Sequence, residues 1–108
     1  MRAELHEEAR RELSAAASWY EDRSPGLGDD FAVEVLRALD SIEEAPELWP
    51  LWPGVSHGPG VRRFLLADFP YALPYAALKD RIVVLAIAHV RQLPGYWLKR
   101  AETLRRRQ

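Results

Sequence analysis

His6, His57 and His89 are the side chains of this sequence best suited to exchanging protons near neutral pH. They are scattered over an opening strand, a loop and a strand end, and nothing in their spacing favours a catalytic pair. His89 reads instead as a ring that bonds to backbone at the end of its strand. There is no cysteine, which removes thiolate nucleophiles, thiolate zinc sites and disulfides. No H-E-x-x-H, EF-hand, P-loop or G-x-G-x-x-G pattern occurs, so neither a metal nor a cofactor is expected. Gly54, Gly58 and Gly60 read as loop hinges rather than a phosphate cradle. The remaining chemistry belongs to cations and aromatics. Arginine is suited to it, since a forked guanidinium can grip a phosphate with two bonds. Trp49 and Trp52 could stack on bases, or their proline-rich loop could fold onto the helices. The run Arg105-Arg106-Arg107 could touch nucleic acid or simply be solvated.

The net charge of −1 over 108 residues hides a strong polarity. Residues 1–60 carry five basic against thirteen acidic side chains, a balance of −8; residues 61–108 carry ten against three, a balance of +7. Such asymmetry fits a charged partner, an acidic surface packed on a basic one, or two independently solvated surfaces. The length suits a single domain spanning 1–108. Apolar residues at 48% and charged ones at 29% describe an ordinary globular chain rather than a disordered one. The uncharged stretch from Phe69 to Leu78 contains two prolines and is too short to span a bilayer. Acidic residues near the N-terminus argue against export, and the absence of cysteine suits a reducing cytoplasm. No membrane partner is expected.

The elements that must position these residues follow from periodicity. Arg2 to Leu5 reads as a short strand. From Glu7, Ala9, Leu13, Ala16, Ala17 and Tyr20 form a helical stripe, which Ser24-Pro25-Gly26 ends. A second helix begins near Gly28, with Phe31, Val35, Leu39 and Ile42 as its stripe, and Pro46 stops it near Glu44. The short connection makes an antiparallel hairpin. Residues 46–60 read as an ordered irregular loop with at least one tryptophan packed on the body. The period then becomes two: Val61 to Leu66, Tyr71 to Leu78, and an apolar central strand Ile82 to Ala88. Pro74 suggests a bulge or an edge position. Tyr96 to about Arg106 reads as a short helix with Tyr96, Trp97, Arg100 and Leu104 along one side. The fold class is α+β: a small antiparallel sheet packed against an N-terminal helical hairpin, with a short C-terminal helix.

Four stretches resemble the ParE (plasmid-stabilisation) branch of the RelE/ParE toxin superfamily. They are Ala17-Ser18-Trp19-Tyr20-Glu21 with Ser24-Pro25-Gly26-Leu27-Gly28-Asp29-Asp30-Phe31; Ile42 through Pro46; Val61-Arg62-Arg63-Phe64 with Phe69-Pro70-Tyr71; and Leu85-Ala86-Ile87-Ala88-His89-Val90-Arg91-Gln92-Leu93-Pro94-Gly95-Tyr96-Trp97. Gln92 stands where the family usually has a second arginine, and Pro74 where a β-branched residue is usual.

The resemblance implies a cytoplasmic toxin of a type II toxin–antitoxin system, with DNA gyrase as target and a ParD-like antitoxin that folds onto it. It places antitoxin or target contacts at Trp19, Tyr20, Arg62, Arg63, Arg91, Tyr96, Trp97 and Arg100. The alternative is a RelE-like endoribonuclease that cleaves messenger RNA on the ribosome. There, cations would surround the phosphate attacked by the 2′-hydroxyl and another group would move protons. Arg63, Arg91 and Tyr96 are the catalytic candidates in that case. The nuclease branch is lysine-rich in its strands, whereas this chain has only Lys79 and Lys99. A third reading, suggested by Gln92, is a family member without toxicity that survives as an interaction partner.

Overall fold

The alternation of apolar residues that marks strands and the wider stripe that marks helices both emerge as elements. The computed structural model describes residues 1–54, 60–93 and 95–106, the side chains of 105 and 106 excepted. His57 and the last residue of the arginine run therefore lie outside the described residues. Strand β1 (Ala3–Leu5) leads into helices α1 (Glu7–Arg23) and α2 (Leu27–Glu44). After the proline-rich loop come β2 (Arg62–Leu65), β3 (Tyr71–Ala77), β4 (Ile82–Val84) and β5 (Ala88–His89), followed by α3 (Leu98–Arg106).

Local chemistry sets the hairpin. The Nδ1 of His6 accepts the Glu8 N–H at 3.0 Å and caps α1, while Glu7 and Glu8 oppose the helix dipole. No side chain of its own caps α2. Instead the Glu21 carboxylate reaches across and accepts the N–H groups of Gly26 and Gly28, each at 3.0 Å. Gly26 turns the chain at φ +88°, and a Cβ on Gly28 would collide with the Ala17 carbonyl oxygen. The pattern Pro-Gly-Leu-Gly thus supplies a left-handed turn and a place where two helices nearly touch. Helix α2 stops at Glu44, as Pro46 requires.

The sheet runs β1-β4-β3-β2, with β5 also pairing β3. Neighbours joined by short turns are antiparallel as expected, but β1 pairs with β4 in parallel, so the sheet is mixed. The whole hairpin lies between those two strands, and a crossover of that length permits parallel return. On one face Ala9, Ala16, Phe31, Val35, Ala38 and Ile42 of the hairpin bury Leu73, Tyr75, Ile82 and Val84. The other face is covered too: Val61, Ala76, Val83, Leu85 and Ala88 pack under Trp97, Leu104 and Trp52. The two loop tryptophans part company. Trp49 meets Phe64 edge-on at 4.6 Å on the hairpin side, while Trp52 meets Trp97 at 5.0 Å on the opposite side.

Pro74 explains why the central strand comes in two pieces. It lies inside β3, whose partner Leu85 donates its N–H to the Pro74 carbonyl at 2.7 Å. An ordinary residue would return the bond to the Leu85 carbonyl; proline has no donor. The register then slips by one residue, from Tyr75 opposite Val84 to Ala72 opposite Ala88. Leu85 and Ala86 accordingly face the same side, both in the core beneath α3. This is a β-bulge in the middle of the sheet, and the carbonyl it frees is put to use elsewhere. No described helix is long and apolar enough to cross a membrane.

Candidate functional site

The Leu85 carbonyl orphaned by Pro74 receives a hydrogen bond from Arg100 Nη1 at 2.8 Å. Arg100 also grips Glu12 with both terminal nitrogens, at 2.9 Å to Oε1 and 3.1 Å to Oε2. Tyr96 donates its hydroxyl to Glu12 Oε2 at 2.7 Å, and the Ile87 N–H donates to Oε1 at 3.1 Å. One carboxylate from α1 therefore fastens α3, the turn before it and the bulge. The side chains of Arg100 and Glu12 are 17% and 23% exposed, so this forked pair is shielded more than a surface ion pair. Burial pushes the Tyr96 hydroxyl pKa up, and the hydrogen bond it donates to the Glu12 carboxylate raises it further. For Arg100, burial works downward, but the bonds and charge of Glu12 prevail and its pKa is raised.

Beside this knot lies a groove of about 440 Å³ between α1 and β5, walled by Ala15, Trp19, Tyr20, Tyr71, His89 and Gln92. Trp19 is 51% exposed there, with the Arg23 guanidinium 3.4 Å above its ring. Tyr20 stands between Phe31 and Phe69, at 5.2 and 4.9 Å. The His89 ring meets Tyr71 edge-on at 5.1 Å, and its Nδ1 accepts the Arg91 N–H at 3.1 Å. That is the backbone role expected of it. A second cavity of about 210 Å³ opens on the α3 side of the sheet, with Arg63, Trp52, Leu65, Val90 and Leu93 in its walls. Leu65, Val90 and Leu93 are exposed apolar residues along its rim.

The residues singled out in the sequence fall into separate places. Trp19 and Tyr20 share the groove, and Arg63 lines the second cavity. Tyr96 and Arg100 meet on Glu12, and Arg91 is exposed on the turn after β5. Arg62 is turned inward, donating to the Trp49 carbonyl at 2.8 Å, where it pins the proline-rich loop to β2. Trp97 is wholly buried, so it supports α3 rather than presenting a surface. Glu12 itself escaped the sequence reading, since it sits in a run of charges beside the α1 stripe. Its position three after Ala9 and four before Ala16 does put it at the stripe's edge. Among the described residues no group of three or more acidic or histidine side chains could hold a metal.

The model of the family described as "ParE toxin of type II toxin-antitoxin system, parDE" matches residues 3–94. A solved structure from P. aeruginosa, described as "Chromosomal ParDE TA system", shares the fold with a TM-score of 0.70. The match covers 82% of this chain and 95% of that one at 20% identity, which is a likeness of architecture alone. No curated protein matches by sequence.

Proposed function

This chain belongs to the ParE toxin family of type II toxin–antitoxin systems, and from that premise we propose that it acts in the cytoplasm by binding and inhibiting DNA gyrase. A ParDE system implies an antitoxin partner, and in this reading a ParD-like antitoxin holds the toxin silent. The observation that carries the proposal is the open groove beside α1, where a half-exposed tryptophan, an arginine stacked on it and the two tyrosines Tyr20 and Tyr71 form a ready anchor site. Tryptophan, tyrosine and arginine are the side chains that dominate binding energy at protein interfaces. The charge polarity adds orientation: an antitoxin tail that places acids near Arg63 and Arg91 and bases near the acidic hairpin would be steered into register.

Tyr96 supports binding over strand cleavage. Its hydroxyl is already spent on the Glu12 carboxylate at 2.7 Å, so it is not free to move a proton on a substrate. The test is brief induction without antitoxin. The expected result is loss of gyrase supercoiling and induction of the DNA-damage response, both reversed by co-expressed antitoxin. Cleavage of messenger RNA at ribosomal A-sites, abolished by Arg91→Ala and Tyr96→Phe, would replace this reading with the nuclease one.

A further inference from the structure

The cover over the α3 face of the sheet ends in a hollow. Leu65, Ala72 and Ala88 stand in one row across β2, β3 and β5, so two of its three side chains stop at Cβ. Tyr96 and Trp97 close one side, Trp52 and Arg63 line others, and helix α3 itself begins only at Leu98. The cavity of about 210 Å³ is smaller than the roughly 300 Å³ at which small-molecule sites begin. One large side chain is the occupant of that size.

The rim is apolar and open. Leu65 and Val90 are exposed and Leu93 is 79% exposed, while no acidic side chain lines the cavity. Leucines and a valine left bare around one opening mark a surface that associates. Two cations frame it, Arg63 in the wall and Arg91 on the turn between Val90 and Leu93. Neither enters an ion pair among the described residues. An apolar centre with charge at its margin is the layout of a protein–protein contact. A phosphate backbone calls for several cations and gains nothing from leucines, and the Tyr96 hydroxyl is already bonded to Glu12.

We propose that this cavity is where gyrase docks, taking one large apolar side chain from an acidic segment whose carboxylates meet Arg63 and Arg91. The inference rests on the gyrase reading and adds the surface through which the target is held. Charge selects the occupant: the +7 balance of residues 61–108 steers an acidic partner to this side. Two copies meeting hollow to hollow would instead bring four unpaired arginines together. The groove beside α1 opens on the hairpin face and this cavity on the α3 face, so a silencing partner and a target have separate places.

The experiment measures supercoiling by purified gyrase in the presence of the full chain. Leu93→Asp and Arg63→Glu are each expected to weaken inhibition by about tenfold or more, the scale of a lost interface anchor, with thermal unfolding unchanged. Because the chain has no cysteine, Leu93→Cys supplies a single thiol. Its alkylation, read from the mass of the toxin, should slow about tenfold in excess gyrase, since a docked anchor is shut off from solvent. Full inhibition by both variants, with the thiol unprotected, would overturn the proposal and leave the gyrase reading standing. A wild type that leaves supercoiling untouched would remove both. With inhibition intact, loss of antitoxin binding in Leu93→Asp would make the antitoxin the occupant, and loss of self-association would make it a second copy. RNA binding abolished by Arg63→Glu, again with inhibition intact, would make the cavity a nucleic-acid site. Each of these three results overturns the proposal.

Discussion

Two helices of 17 and 18 residues cover one face of the sheet, whereas nine residues of α3 and the Trp52 side chain cover the other. The hairpin face is fastened by apolar area: Phe31 sits edge-on to Phe69 at 5.0 Å and to Tyr71 at 4.9 Å, over a floor of leucine, isoleucine and valine. The α3 face has a smaller apolar contribution, Trp97 against Trp52 with Leu104 nearby, and adds the Glu12–Arg100–Tyr96 knot. The contrast is physical. A long amphipathic pair buries enough surface to hold mainly by apolar contact, with the Glu43 and Glu34 carboxylates adding bonds to the Ala3 and Asp68 N–H groups, while a helix of under three turns depends more on fixed hydrogen bonds to choose its place. The knot also reaches through the end of the sheet, since Glu12 lies on the hairpin side and in the groove wall.

Breaking each face in turn separates the two modes. Phe31→Ala is expected to cost about 3–5 kcal/mol, the usual toll for deleting a buried aromatic ring, and to unfold the whole domain cooperatively. Trp97→Ala removes a comparable side chain, but its loss should fall on α3 first. Hydrogen exchange should rise across 98–106 before it rises in α1 or α2, and uniform acceleration would show that the faces are not independent. Glu12→Gln keeps the shape and removes the charge, and is expected to cost about 1.5–3 kcal/mol, as for hydrogen bonds to a charged group. It should raise exchange in α3 and at the Ile87 amide while leaving the hairpin protected. Gly28→Ala tests the hairpin alone: a Cβ pressed against the Ala17 carbonyl should cost roughly 1–3 kcal/mol by overpacking, read as a lower midpoint in urea.

The smallest expected effect is one of pH. Burial first, and then the positive charge of Arg100, lower the pKa of His6 below 6.5, against smaller opposing contributions from Glu8, Glu7 and Glu12. The folded state thus favours the neutral ring, whose Nδ1 accepts the Glu8 N–H. That contribution is complete above pH 6.5 and is lost as pH falls from there through the lowered folded value. Thermal unfolding of the wild type should therefore lose stability over that window more steeply than His6→Asn, whose side chain can cap without titrating. Identical slopes would remove His6 from the account of acid sensitivity.

The sequence revealed whatever depends on neighbours along the chain. The hairpin was legible because its stripes, the Pro-Gly turn and the stop before Pro46 act within a few residues. Pro74 announced a disturbance, but not which carbonyl it would orphan, because that depends on the partner strand's register. The run from Ile82 to Ala88 looks like one strand for the same reason: its hydrophobicity is continuous and its break comes from the opposing proline. Of the site, Trp19 and Tyr20 were identified from the toxin motif that carries them. The inward turn of Arg62 needed the folded loop to be seen.

What the linear order of residues determined by itself is a helical hairpin, a β-layer and the opposite charges they carry, since periodicity and formal charge need no third dimension. Tertiary structure decided the rest: the parallel place of β1, the bulge opposite Pro74, and the pairing of Glu12 with Arg100 across 88 residues. Contacts between distant residues form only where loop closure and strand register bring the groups together, and no local rule encodes which of many charged side chains will meet.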